Sequence, residues 1–302
     1  MTNGDNHFGI VVGVDGSAAS TAAVRWATRE AETRNLPLTV VTALAPVVEA
    51  TGPWPEVPVP TGYLRLQEAE AQKILDDALS TVADSVTVED LRFTGEVVLG
   101  PVLATLVEMS KQADTMVVGC RGEGAVARAL LGSTSSGLAH LSQCPVAVIH
   151  AEEPGSPQAP VVVGIDGSPT SEVATAIAFD YASRRGVDLI ALHAWSDMGP
   201  IEFASPNWAP IEWRNIKVAE EEVLSERLAG WSSRYPDVTV HQVVVCDRPG
   251  PRLLEKAEDA QLLVVGSHGR GGVPGMLLGS VSTAIVNSAQ IPVIIARLPG
   301  DT

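Results

Sequence analysis

"VVGSHGRGGVPGMLLGS", Val264–Ser280, begins as a short apolar run, passes through five glycines and closes on Gly279-Ser280, where a helical pattern opens. "VVGCRGEGAVARALLGS", Val117–Ser133, has the same build. In each, two residues separate the first pair of glycines and nine separate the second from a Gly-Ser pair. These are Gly266, Gly269 and Gly279-Ser280 in one stretch, and Gly119, Gly122 and Gly132-Ser133 in the other. Glycine accepts positive φ and lets a bulky group approach the backbone. A helix opening just beyond offers unpaired N–H groups and the positive end of its dipole. Strand, glycine loop and helix start in this order make a cradle for an anion such as phosphate. Ser280 and Ser282 can donate hydroxyl hydrogen bonds, and Arg270 adds charge. Bonds to charged groups are worth roughly 1.5–3 kcal/mol each, so four or five go far toward micromolar binding, about −8.2 kcal/mol. One such loop is as readily a tight crossover; two with identical spacing argue for a ligand.

The likeness runs beyond the loops. "VVVGIDGS" (Val161–Ser168) repeats "GIVVGVDGS" (Gly9–Ser17) at an offset of 151, which also matches Ala27 to Ala178, Ala31 to Ala182, Arg34 to Arg185 and Leu38 to Leu189. After a net loss of four residues, an offset of 147 matches the glycines of the two loops. A register held across half a chain is a duplication. "AEEPGSPQAP", Ala151–Pro160, has no apolar period and is rich in Pro, Gly and acid, so it reads as a linker. The organisation expected is a domain over 1–150, a linker over 151–160 and a domain over 161–302.

Within each half, strand and helix patterns alternate. "FGIVVGV" suits a strand covered on both faces, Ser17–Arg34 has helical spacing behind a Ser cap, and "LPLTVVTAL" is a second strand. Tyr63–Val82 reads as a long amphipathic helix, "TVEDLRFTGEVV" as a third strand and Pro101–Gln112 as a helix with Pro in its first turn. "TMVVGC", a helix over Ser133–Ser142 and "PVAVIH" complete the half. Such alternation predicts an α/β fold: an open, mostly parallel sheet with helices on both faces. Ligands of such sheets settle outside the carboxyl ends of the strands, where strand order reverses. The turns holding Asp15 and Asp166 and the glycine loops both belong there.

Bulk composition narrows the function. The 302 residues carry 20 basic and 36 acidic side chains, a net charge of −16. That balance opposes non-specific nucleic-acid binding, because phosphate backbones are repelled. Three cysteines, Cys120, Cys144 and Cys246, suit a reducing cytosol and give no disulfide framework. Without a secretory leader or an apolar run of membrane-spanning length, the chain reads as cytoplasmic with no membrane partner. No G-x-x-x-x-G-K-[ST] occurs, which excludes a Walker-type NTPase. "GEGAVA" nominally fits a dinucleotide fingerprint, but it follows the fourth strand and its counterpart "GRGGVP" does not fit.

The arrangement G-x2-G-x9-G-[ST], preceded by a strand-one "VDGS" and repeated over halves of about 150 residues, resembles the universal stress protein family in its tandem form. The resemblance implies two tandem Rossmann-like domains of the adenine nucleotide α-hydrolase-like kind, each with a five-stranded parallel sheet. It also implies ATP as ligand, two per chain, with Mg²⁺ and the choice between ATP and AMP left open. Carried over by position, Asp15 and Asp166 approach the adenosine, with Gly13 and Gly164 beside them. Ala43 and Ala194 flank the adenine. Gly119, Gly122, Gly132, Ser133, Thr134 and Ser135 hold ribose and phosphates in the first half, with Arg121 nearby. Gly266, Gly269, Gly279, Ser280, Val281 and Ser282 do so in the second, with His268 and Arg270. A carboxylate, Glu123, stands in the first loop where the second has Arg270, so tighter ATP binding is expected at the C-terminal site. The resemblance further implies that "PVAVIH" and "PVIIAR" pair domain to domain, and that the chain regulates stress response or slow growth through a protein partner and as a homodimer.

Other residues read more plainly. His140 and Cys144 stand at i and i+4, but no third ligand is suggested, so metal binding is not expected. Cys120 matches Ser267 as a small loop residue. Trp54, Trp208 and Trp213, in Pro-rich stretches after the second strand of each half, close a core edge or form covers and interfaces. Nothing in the sequence positions an attacking water or a base, so no enzyme is expected, slow hydrolysis being left open. The alternatives are an ATP-dependent enzyme with a second pocket and a nucleotide-free scaffold.

Overall fold

An unbroken apolar run is stable as a strand only when both its faces are covered, and Ile10, Val11 and Val12 are fully buried in the computed structural model. The structure describes residues 7–44, 61–88, 90–120, 131–150, 156–195, 211–270 and 278–298, with backbone alone at 61, 63 and 211–214. The chain divides into two compact units, Met1–Ala151 and Glu152–Thr302.

The first unit runs β1 (Gly9–Gly13), α1 (Ala18–Arg34), β2 (Leu38–Leu44), α2 (Thr61–Ser85), β3 (Phe93–Leu99), α3 (Val102–Met109), β4 (Ala113–Gly119), α4 (Ser133–Leu141) and β5 (Val146–Ile149). Its strands are all parallel, in the order β3-β2-β1-β4-β5. Helices α1 and α2 pack on each other, as do α3 and α4. The second unit repeats the plan with β6 (Val161–Gly164), α5 (Pro169–Arg185), β7 (Leu189–Ala194), α6 (Ile211–Arg234), β8 (Val240–Val245), α7 (Pro249–Ala257), β9 (Leu262–Gly266), α8 (Ser280–Ser288) and β10 (Val293–Ala296). Its parallel order is β8-β7-β6-β9-β10. In each unit the chain moves outward through three strands, returns, and places the fourth on the other side of the first. The reversal falls between β1 and β4, and between β6 and β9.

Helix ends follow local chemistry. Ser17 Oγ accepts from Ser20 N at 3.1 Å and Ser168 Oγ from Ser171 N at 3.2 Å, each satisfying an N–H of the first turn. Asn35 (φ 51°) and Gly186 (φ 63°) end α1 and α5 in the left-handed conformation. Three local expectations are corrected. The strand expected over "TVEDLRFTGEVV" forms only from Phe93, because Glu32 of α1 takes the N–H groups of Thr87 and Val88 that a sheet ladder would need. The helix expected over Tyr63–Val82 extends to Thr61–Ser85. The one expected over Pro101–Gln112 is α3 followed by a tighter 3₁₀ turn, Ser110–Gln112.

The second half of the Pro-rich stretch 151–160 is tied down within its own unit. Gln261 Nε2 donates to the carbonyls of Ala159 (2.5 Å) and Pro157 (3.2 Å), and Gln261 N donates to Pro160 O at 3.0 Å. Residues 151–155 lie outside the described residues.

Candidate functional site

At the β6/β9 reversal, the carboxyl ends of the strands open into a cavity of about 440 Å³, within the ~300–1,000 Å³ usual for small-molecule sites. It is lined by Gly164, Asp166, Ala194, Gly266, His268, Gly269, Arg270, Gly279, Ser280, Val281 and Ser282, which brings together every site residue expected in the second half. The corresponding cavity at β1/β4, about 260 Å³, is lined by Gly13, Asp15, Ala43, Gly119, Gly132, Ser133, Thr134 and Ser135. Arg121 and Gly122, with Glu123, lie outside the described residues, as do Trp54, Trp208 and the side chain of Trp213.

The floor of each cavity is apolar and comes from residues that the motifs did not point to. Val102 and Leu106 of α3 line the first, Pro249 and Leu253 of α7 the second. The two pairs match at the offset of 147. Gly13 and Gly164 make room for them: a Cβ on Gly13 would stand 3.3 Å from Leu106, and one on Gly164 3.1 Å from Leu253. A shared apolar pair in the helix after the third strand is the sequence signal that could have found them. Ala43, next to last in β2, and Ala194, last in β7, line the same cavities, which combine an apolar base with a polar rim.

That rim is built on helices without side-chain caps. Glycine occupies the cap position of α4 (Gly132) and α8 (Gly279), and no side chain accepts a hydrogen bond there. At α8, the N–H groups of Ser280, Val281 and Ser282 have no acceptor among the described residues, leaving the positive end of the helix directed at the cavity. The strand-to-helix path is the same in both units. Gly279 N donates to Ser267 O at 2.7 Å and Gly132 N to Cys120 O at 2.8 Å. Cys120 and Ser267, both buried, are thus equivalent backbone posts. The hydroxyl of Ser282, expected to donate to a ligand, is engaged within the protein, and that of Ser135 likewise. Each donates at 2.6 Å to the carbonyl closing the fourth strand, Gly119 O and Gly266 O. The hydroxyl hydrogens are thus committed to the strand ends.

The aspartates are also engaged. Asp15 Oδ1 accepts from Ser17 N (3.1 Å) and Ser17 Oγ (2.7 Å). Asp166 Oδ1 accepts from Ser168 N and Oγ, while Oδ2 accepts from Arg270 N at 3.0 Å. Asp166 therefore joins the turn after β6 to the glycine loop after β9. His140 binds Ser136 O through Nδ1 at 2.6 Å, and Cys144 is buried beside Ser142 and Pro145. Among the described residues no group of three or more His, Cys, Asp or Glu is placed to hold a metal ion. Nor is any helix among them long and apolar enough to cross a membrane.

Beside the second cavity, the N–H of Arg248 and then the guanidinium of Arg252 hold the Asp247 carboxyl below its ordinary range, against the opposing effect of desolvation. Asp247 Oδ1 accepts from Arg248 N at 2.7 Å and Oδ2 from Arg252 Nε at 2.6 Å, which anchors the start of α7 and its cavity residues Pro249 and Leu253. A folded-state pKa below the unfolded one stabilises at pH above the unfolded value, and the contribution is lost as pH falls through the folded value. Asp247→Asn is accordingly expected to lower Tm at neutral pH. The gap to the parent protein should shrink as titration proceeds below about pH 4, as thermal melts over a pH series will read.

The sequence matches the family model described as "Universal stress protein family" twice, over residues 9–150 and 159–297. The chain belongs to the universal stress protein family. This universal stress protein is 54% identical over 318 residues to universal stress protein Rv1996 of Mycobacterium tuberculosis, an alignment covering 100% of this chain and 98% of the relative. It is 50% identical over 301 residues to universal stress protein Rv2623 of the same organism, covering 98% and 99%. A crystal structure of a universal stress protein from Archaeoglobus fulgidus superposes with a TM-score of 0.71 at 19% identity, covering 97% of this chain and 99% of that one. That likeness establishes the parallel α/β fold, and the double family match makes its two tandem domains family domains.

Proposed function

We propose that this universal stress protein is an ATP-binding regulatory protein with two nucleotide sites, one in each unit. The observation that carries the reading is the α8 mouth. A glycine cap leaves three successive N–H groups without an acceptor among the described residues, at a cavity that also holds Gly269, His268 and Arg270. An anion with several oxygens satisfies those donors at once, and the apolar floor under Ala194 takes a flat base. The first unit repeats the glycine-capped helix, the apolar floor and an alanine near the end of the second strand. Adenine nucleotides are the ligands common in this family, and ATP supplies both the base and a polyanionic tail.

We read the sites as binding rather than turning ligand over. In the second unit both Asp166 oxygens already accept hydrogen bonds from the protein, so that carboxylate acts as a strut and is not poised as a base. Binding energy spent on closing the loops over ATP would shift the population toward one surface offered to a partner.

The test is direct. Purified protein is denatured and the released small molecules are separated and identified by chromatography and mass. Two adenine nucleotides per chain, ATP foremost, are expected. A chain that releases none, and gives no heat when titrated with millimolar ATP, would be a scaffold without a ligand.

A further inference from the structure

We infer that Thr170 is a positioning residue of the C-terminal nucleotide site. Its hydroxyl holds the His268–Gly269 peptide of the glycine loop in its ligand-receiving orientation before any ligand arrives, and Ala19 takes its place in the N-terminal half. The inference rests on the nucleotide reading above, but its geometry stands apart from it.

Thr170 is the second residue of α5 and is buried. Its Oγ1 donates at 2.6 Å to the carbonyl oxygen of His268, 98 residues away in sequence. The neighbouring Ser168 hydroxyl lies 3.1 Å from the same oxygen but 2.7 Å from the Asp166 carboxylate. A hydroxyl has one hydrogen, and the closer, charged acceptor takes it. Thr170 is thus the side chain whose hydrogen is available to the loop.

Fixing that carbonyl fixes more than one atom. The His268–Gly269 peptide is planar and trans, so its C=O and N–H point in opposite directions. With the carbonyl held against α5, the Gly269 N–H is turned away from α5. The Gly269 nitrogen lies 3.8 Å from where a Cβ on Gly279 would stand, beside the open α8 mouth. On the far side of Gly269, Arg270 N is held by Asp166. The two latches straddle one glycine and orient its N–H alongside the unpaired N–H groups of α8.

Passage of the threonine hydroxyl to the loop depends on Gly266, where a Cβ would come within 2.6 Å of Thr170 Oγ1. At the matching place in the first unit, a Cβ on Gly119 would meet Ala19, which has no hydroxyl. Pre-organisation lowers the ordering cost of binding, so the Thr170 hydroxyl contributes to affinity at the C-terminal site.

The experiment uses the full chain carrying Gly122→Glu, which removes the N-terminal site, with Thr170→Val and Thr170→Ser added separately. Calorimetric titration with ATP is expected to show a dissociation constant about three- to tenfold higher for Thr170→Val, the worth of one hydrogen bond. Thr170→Ser, which keeps the hydroxyl, should stay within about twofold of its parent. In nucleotide-free protein, amide exchange at Arg270, whose N–H Asp166 holds, is expected to be faster in Thr170→Val only. Equal affinity and exchange in Thr170→Val and its parent would overturn the inference, as would a Thr170→Ser as impaired as Thr170→Val. If the parent takes up no ATP, the nucleotide reading fails, and the exchange measurement still decides whether the latch exists.

Discussion

Gly269→Glu is expected to abolish ATP binding at the C-terminal site and to halve the stoichiometry of the chain. Two effects act in the same direction. The new Cβ would lie 2.6 Å from Asp166 Oδ2, so the strut holding Arg270 N must move. The new carboxylate also enters a rim organised for anions. Two like charges about 4 Å apart repel by roughly 4 kcal/mol at an effective dielectric of 20, enough for a hundredfold loss or more. Gly269→Ala separates the contributions, because it has the collision without the charge and should be intermediate. Calorimetry on both variants reads the outcome. If Gly269→Glu still binds two nucleotides with the parent affinities, the glycine loop is not where the phosphates rest.

Gly266→Ala is expected to destabilise the second unit, by about 1–3 kcal/mol as an overpacked site. A Cβ there would meet Thr170 Oγ1 at 2.6 Å and the backbone of Thr170 and Ser171 at 3.0 Å. The backbone atoms belong to a capped helix start and cannot rotate aside as a flexible side-chain tip could. Gly119→Ala is worse placed, with Ala19 C at 2.7 Å and Ser20 N at 2.8 Å. The contrast is Gly230, inside α6 with nothing within 4 Å. Alanine there should stabilise by up to about 1 kcal/mol through helix propensity. Denaturation curves of the three variants check the ordering, and a Gly266→Ala protein as stable as its parent would show that the strand end and the α5 start are not in close contact.

Part of the site was legible because it depends on short-range chemistry. A glycine at a helix cap, a serine that caps α1 or α5, and an apolar run that must be covered on both faces each follow from a few consecutive residues. The repeat then did what no alignment was needed for: Gly119 and Gly266, or Gly13 and Gly164, declare themselves as pairs within one chain. Asp15 and Asp166 were placed correctly at the strand-one turn. The hydroxyl of Ser282 was expected to donate to a ligand, but it donates to a carbonyl of a strand 16 residues earlier, as does that of Ser135.

The sequence by itself determined that the chain is a doubled α/β protein with a glycine-capped helix mouth in each half. Periodicity, caps and internal repetition are local properties, and each has a physical meaning before the chain folds. Only the tertiary structure decided which strands flank the reversal, so it alone brought Leu106 and Leu253 under the cavities and Thr170 to the carbonyl of His268. Those relations join segments separated by tens of residues, and the parallel register between neighbouring strands sets them, not any preference of the residues themselves. The difference between Ala19 and Thr170 is plain to see in the two repeats. It acquires a consequence only once a loop carbonyl, distant along the chain, is known to lie within reach of one hydroxyl.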